Sequence, residues 1–183
     1  MIGLIVDGEG DYAAFRARYS GRVRVFKTDG PRGHLVDERE IVGSARKQIR
    51  QMQLLGCKRI AIVTDLESRP RSAESFRLSC EDCARSLGHT IDLLVFVADR
   101  MLENWFLADI AHVSQHKSYL RNIKRQKRFE STDGKSEIKK LFISGHDYNE
   151  VRHGREIFPL VRGDFAAGFS PSFSAFRAEL GLD

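Results

Sequence analysis

The sequence predicts an α/β fold: a mostly parallel, four-stranded sheet flanked by helices, with a helical C-terminal extension. Three observations carry this expectation. Four short strand-like stretches, apolar at 2–6, 59–64 and 90–97 and alternating at 23–28, take turns with stretches of helical spacing. Turn chemistry closes the first two runs, Asp7-Gly8-Glu9-Gly10 and Asp29-Gly30-Pro31. Continuous apolar strands between helices need cover on both faces, which is the environment of a parallel sheet.

The elements follow in order. Residues 2–6, IGLIV, are short, apolar and rich in branched side chains, so they read as a strand. Tyr12, Phe15 and Tyr19 then recur at helical spacing across 11–19. Residues 23–28 alternate, and 29–37 read as loop. Ile41, Val42, Ala45, Ile49, Met52 and Leu55 form one stripe, which predicts a single helix over 38–55 with Gly56 as its cap. Residues 59–64, RIAIVT, are the most buried-looking strand. A helix over 72–87 carries Ala73, Phe76, Cys80, Cys83 and Leu87 on one side, and Gly88 closes it. Residues 90–97, TIDLLVFV, are a fourth strand, and 101–110 read as helix. Beyond it come helical pieces near 135–143 and 154–162. Ser170-Pro171 then opens a last helix that places Phe173, Phe176 and Leu180 on one face. Residues 1–110 are read as the sheet domain and 111–183 as a basic, helical extension packed on it.

Composition excludes several classes. The 183 residues include only 4 Pro against 15 Gly, and 42% are apolar, which excludes collagen and low-complexity disorder. The start of the chain lacks the features of a signal peptide, and no apolar run approaches a membrane span. Cys57, Cys80 and Cys83 are too few and too irregular for a disulfide framework, so a soluble, cytoplasmic protein is expected.

The net charge of +5 is unevenly placed. Residues 116–140 hold nine Lys or Arg against three acids. Such a concentration suits an anionic partner such as nucleic acid, or it is a solvated helix face. Lys117, Arg121, Lys124, Arg125, Lys127 and Arg128 are the candidate backbone contacts. Tyr119 and Phe129 interleave them, either to stack on bases or to fill the core.

Acids gather where the strands end. Asp7 and Glu9 follow the first strand, Asp65 and Glu67 the third, and Asp99 and Glu103 the fourth. In open α/β sheets ligands bind beyond these carboxyl ends, and right-handed crossovers make the first and third strands neighbours. Asp7 and Asp65 are therefore expected close together. Clustered carboxylates raise one another's pKa unless a cation lies between them. An all-oxygen set points to Mg²⁺ or Mn²⁺. Each acid alone has an ordinary use as a cap or a turn residue.

The stretch Ile5-Val6-Asp7-Gly8-Glu9-Gly10-Asp11 resembles the first motif of Toprim domains, and Val63-Thr64-Asp65-Leu66-Glu67 resembles the second, usually D-x-D. Glu103-Asn104-Trp105-Phe106-Leu107-Ala108-Asp109 is similar to a marker of a small Toprim-like branch, domain of unknown function 4276. Tyr148, Val151, His153 and Gly154, then Ser170-Pro171-Ser172-Phe173 with Phe176, fit the same branch. The resemblance implies a Toprim/Rossmann-like fold and kinship with the OLD-type nucleases. It implies Asp7, Asp65 and Glu67 as metal ligands, Glu103 as a further acid, and Glu9 as a substitute for Asp7. Asp7 is shorter than the Glu usual in the first motif, and Glu67 is longer than the usual Asp.

The implied function is a metal-dependent phosphodiesterase or nuclease acting on DNA or RNA, as an antiphage or mobile-element component, alone or with a partner ATPase or a second copy. No Tyr lies within the acid motifs, so hydrolysis by water is expected rather than covalent attack. Lys27, Arg32, Arg69 and Arg71 are candidates to face the leaving oxygen. Arg152 and His153 are candidates for phosphate, His153 having a helix cap as its alternative. A catalytically weak, nucleic-acid- or partner-binding subunit is the second reading, favoured by Asp7 and Glu67. A receiver-like phospho-switch is a third, opposed by the missing Lys after a fifth strand. Cys80 and Cys83 lack a second pair for zinc, and His112 and His116 lack the glutamate of H-E-x-x-H. Trp105 and Phe106 read as core.

Overall fold

The computed structural model describes residues 1–31, 33–87 and 93–182. Arg32, Gly88 and the start of the fourth apolar run at 90–92 lie outside them. Four strands, β1 (Ile2–Val6), β2 (Val23–Lys27), β3 (Arg59–Asp65) and β4 (Leu93–Ala98), form one sheet in the order β2-β1-β3-β4. Every pairing is parallel. Side chains alternate between two buried faces. Leu4 and Val6, Ala61 and Val63, and Phe96 and Ala98 enter one apolar cluster; Ile5, Ile60, Ile62, Val95 and Val97 enter the other. Burial on both faces is why β1, β3 and β4 read as continuous apolar runs, while the edge strand β2 alternates.

Helices α2 (Glu38–Ser44), α3 (Arg46–Leu54) and α4 (Ala73–Ser86) cover the second face. The single helix expected over 38–55 is two. Ser44 is the reason at residue level: its hydroxyl donates to the Ile41 carbonyl at 2.8 Å, and Gly43 before it has the weakest helix preference in the stretch. Asp37 and Glu40 cap α2 reciprocally, each side chain accepting from the other's backbone N–H. Gly56 adopts φ 79° after α3, and Cys57 N–H returns to the Met52 carbonyl, so the sharp stop needs glycine.

Helix α1 (Glu9–Arg18) and the whole C-terminal half cover the first face. That half comprises α5 (Glu103–Leu107), α6 (Ile110–His116), α7 (Gly134–Lys139), α8 (Glu150–Ile157) with a 3₁₀ turn at Phe158–Leu160, α9 (Gly163–Ala167) and α10 (Pro171–Leu180). The helix expected over 101–110 breaks at Asp109. Its buried carboxylate turns to accept from Arg162 N, Nε and Nη2, so it cannot cap the next turn. Phe15 sits at the centre of an aromatic cluster, with ring centroids 6.1 Å from Trp105, 5.4 Å from Phe158 and 5.6 Å from Phe176. Tyr119 and Phe129 are buried there too, so they are core residues and not base-stacking platforms.

The basic stretch is not a helix face. Residues 121–129 cross the surface without regular structure. Side chains and not a backbone ladder hold them: Gln126 Nε2 donates to the Leu107 carbonyl at 2.7 Å, and Ile123 N–H donates to Ser114 Oγ at 3.0 Å. Among the described residues no helix is long and apolar enough to cross a membrane.

Candidate functional site

β1 and β3 lie side by side with Val6 opposite Val63. The residues that follow them emerge together where the strand order reverses, the crevice in which α/β proteins bind ligands. Asp7 Oδ2 there accepts from Thr64 Oγ1 at 2.6 Å. Asp65 Oδ1 accepts from Leu102 N–H at 2.9 Å, at the start of α5. The next residue, Glu103, is buried, and its Oε1 accepts from the Tyr148 hydroxyl at 3.0 Å. Asp11, in the first turn of α1, adds a fourth carboxylate, with Oδ2 accepting from Gly8 N–H at 3.2 Å.

These acids act on one another. Burial holds the Asp65 carboxyl well above the usual range, and the charges of Asp11, Glu103 and Asp7 push it the same way. Burial pushes Glu103 up to about 7, with Lys135 opposing and Asp11 reinforcing. Burial and the Glu103 charge drive the Tyr148 hydroxyl upward, so it stays a proton donor.

Among the described residues Lys135 opposes the charge on Asp65 and Glu103. Lys135 projects from the first turn of α7 and lies 2.9 Å from Glu150 Oε1. Burial would lower its pKa; Glu103, Glu150 and Asp65 overcome that and raise it to about 12. Gly134 makes the placement possible. A Cβ there would fall 2.3 Å from Asn104 Oδ1 and 3.0 Å from Glu103 Cβ, so only glycine lets α7 begin against α5.

The expected site residues divide. Asp7, Asp65 and Glu103 are brought together. Glu9 is not: it forms an ion pair with Lys27 beside a surface cavity of about 300 Å³ lined also by Tyr12 and Gln48. Glu67 sits in a left-handed turn, φ 53°. Its N–H donates to the Arg100 carbonyl at 2.7 Å, its own carbonyl accepts from Arg100 Nη1, and its carboxylate faces Gly33. Glu9 and Glu67 are thus engaged by Lys27 and Arg100, away from the hydrogen bonds that fix Asp65 and Glu103. Asp99 joins a different group, with Ser131 Oγ donating to it at 2.7 Å beside Glu130.

Of the proposed leaving-group cations, Arg32 lies outside the described residues and the other three are engaged elsewhere. Arg69 is buried under the Gly33 and Val36 carbonyls, Arg71 bonds Glu38 and Ser79, and Lys27 holds Glu9. Reading strand ends alone missed Asp11, Lys135 and Tyr148. Asp11 had a signal, being the N3 residue of a helix that opens directly from a strand.

Arg121, Lys124, Arg125, Lys127 and Arg128 are exposed and form no ion pair among the described residues. Lys117 lies 3.6 Å from Glu156, which Arg152 also bonds. His153 is buried against Tyr119, Phe142 and Tyr148, its Nδ1 accepting from Asn149 N–H, so it is a packing residue and not a surface phosphate ligand.

The Glu103–Asp109 stretch divides its work. Asn104 Nδ2 ties the Asp99 and Thr132 carbonyls, Trp105 Nε1 donates to Ser172 Oγ at 2.7 Å, and Asp109 holds Arg162. Only Glu103 points to chemistry.

Among the described residues no group of three or more His, Cys, Asp or Glu side chains is arranged to hold a metal ion. In donor chemistry the cluster fits a hard divalent cation: four carboxylates, no thiolate, and two of them driven toward protonation by burial and mutual repulsion. The fit is one of charge and donor type. Comparisons of the chain with protein-family models, curated proteins and solved structures find no match.

Proposed function

We propose that the protein is a divalent-cation-dependent phosphodiesterase acting on nucleic acid. The observation that carries this reading is the convergence of Asp7, Asp65 and Glu103, joined by Asp11, at the point where the strand order of the sheet reverses. Asp7, Asp65 and Glu103 are the residues to hold Mg²⁺ or Mn²⁺, with Glu67 withdrawn from that set. The bound cation would supply a water of lowered pKa and neutralise charge on the phosphate. Thr64 orients Asp7, the α5 backbone orients Asp65, and Tyr148 orients Glu103. Lys135 supplies positive charge on the side of Glu103. The exposed cations at 121–128, which form no ion pair among the described residues, support a polyanionic substrate. The Toprim-like motifs agree with this reading at Asp7 and Asp65.

The test incubates the purified chain with single- and double-stranded DNA and with RNA, in Mg²⁺, Mn²⁺ or EDTA. Cleavage should require the cation and fall at least about 100-fold in Asp65→Asn. Cleavage that survives Asp65→Asn, or none on any substrate, removes the catalytic reading. A second reading, a nucleic-acid-binding subunit without catalysis, is favoured by Lys135, whose ammonium already offsets the Glu103 charge. It predicts salt-sensitive binding and no product.

A further inference from the structure

A second cavity lies apart from the carboxylate cluster. It is a groove of about 990 Å³ along the outer edge of β4, between α4 and α10. β4 is the last strand in the sheet order, and among the described residues its outer edge has no ladder partner. Such an edge presents a row of backbone donors and acceptors and accepts an added strand. The groove stays open because its α10 wall is built from small side chains, the exposed Ala175 and Ala178.

Charge selects the occupant. Five of the seven ionisable side chains lining the groove are carboxylates. Arg77 pairs with Glu74 and Glu81, Arg85 with Asp82, and Glu179 with Arg59, which leaves Asp99 and Glu130 as the groove carboxylates with no ion pair among the described residues. At the end where β4 finishes, Glu130 and Asp99 lie together. Glu130 Oε1 is fixed by Ser172, through N–H at 3.2 Å and Oγ at 2.7 Å, and by the Ser170 hydroxyl. Two adjacent carboxyls held by hydroxyls, with no positive partner among the described residues, complement an ammonium or guanidinium. Shape argues against a second copy. Two identical grooves set edge to edge would leave a void between them, whereas an extended segment fills one.

We infer that the β4 edge is a docking site for an extended peptide segment of another protein, added as a fifth strand with a lysine or arginine at the end that meets Glu130 and Asp99. The six residues of β4 give a ladder of about 20 Å. Apolar side chains at alternate positions of the segment would face the alanines.

Selection of phage-displayed random peptides on the immobilised full chain tests this. The expected winners alternate β-branched residues and end in Lys or Arg. A synthetic winner should bind Ala178→Trp, which fills the groove, at least about tenfold more weakly than the unaltered chain, and the Asp99→Asn/Glu130→Gln pair likewise. Ala175→Trp replaces Ala178→Trp if the latter lowers the melting temperature, and each carboxamide is tested singly if the pair does. Three outcomes overturn the inference: no enrichment over the groove-filled variant, enrichment of acidic peptides, or a dimer by light scattering that Ala178→Trp dissociates. The last would give the edge to a second copy.

Discussion

Glu103 concentrates the conflict of the acidic cluster in one side chain. It is buried, it accepts from Tyr148, and Asp11 repels it while Lys135 attracts it. Repulsion and burial win, and its folded pKa of about 7 stands above the ordinary 4.5. The folded state therefore holds a proton that the unfolded chain has lost. Stability from this group is present below pH 4.5 and drains as pH rises toward 7, by about 2–3 kcal/mol. Glu103→Gln keeps an acceptor for Tyr148 and cannot ionise. Its melting temperature should match the unaltered chain near pH 4 and exceed it at pH 8, which thermal scans across pH would read directly. A variant less stable at pH 8 would mean that Lys135 outweighs the repulsion. Asp65 feels the charges of Glu103, Asp11 and Asp7, so Mg²⁺ bound among them should raise the melting temperature of the unaltered chain and leave that of Asp65→Asn where it was.

At the scale of elements, strands were legible and interruptions were not. β1, β3 and β4 are buried on both faces, so apolar runs marked them, whereas the edge strand β2 was legible from its alternation; the meeting of Asp7 with Asp65 followed from the crossover rule. The break in the 38–55 stripe depends on one hydroxyl turning to a carbonyl, and the break at Asp109 on an arginine 53 residues away. Periodicity records neither event. Lys135 was visible only as one charge in a basic run, because its place depends on the contact of Gly134 with Asn104. That contact makes its own prediction. Gly134→Ala should cost about 1–3 kcal/mol through overpacking, and it should shift the Glu103 titration by moving Lys135. Heteronuclear NMR titration of the carboxyls would detect the shift. The loop at 121–129 invites a second test. Charge reversal at Arg121, Lys124, Arg125 and Arg128 removes exposed cations that form no ion pair among the described residues, so stability should hold within about 0.5 kcal/mol. Nucleic-acid binding should weaken and lose most of its salt dependence. Binding that keeps its salt slope would place the anion elsewhere on the surface.

The molecule as a whole hangs on one shared aromatic core. Leu4, Val6 and Phe15 come from the N-terminal half, and Phe158, Phe173 and Phe176 from the C-terminal half, within one apolar cluster. Arg18 reinforces the seam by donating from Nη1 to the Phe158 and Val161 carbonyls, both at 2.6 Å. The site obeys the same division: Asp7, Asp11 and Asp65 stand on the sheet and α1, while Tyr148 and Lys135 arrive from the tail. If the tail were a separate body, loosening it would leave the sheet intact and the cluster half-dressed. The packing argues for a single cooperative unit instead. Phe176 is the place to test it, since its ring contacts Phe15, Tyr19, Phe96 and Trp105 and it is fully buried. Phe176→Ala should destabilise the chain by about 3–5 kcal/mol. Unfolding followed by near-ultraviolet and far-ultraviolet circular dichroism should shift as one transition with coincident midpoints. Two separated transitions, with the sheet surviving the first, would show that the tail folds apart from the sheet and that Lys135 and Tyr148 can leave the carboxylates without unfolding them.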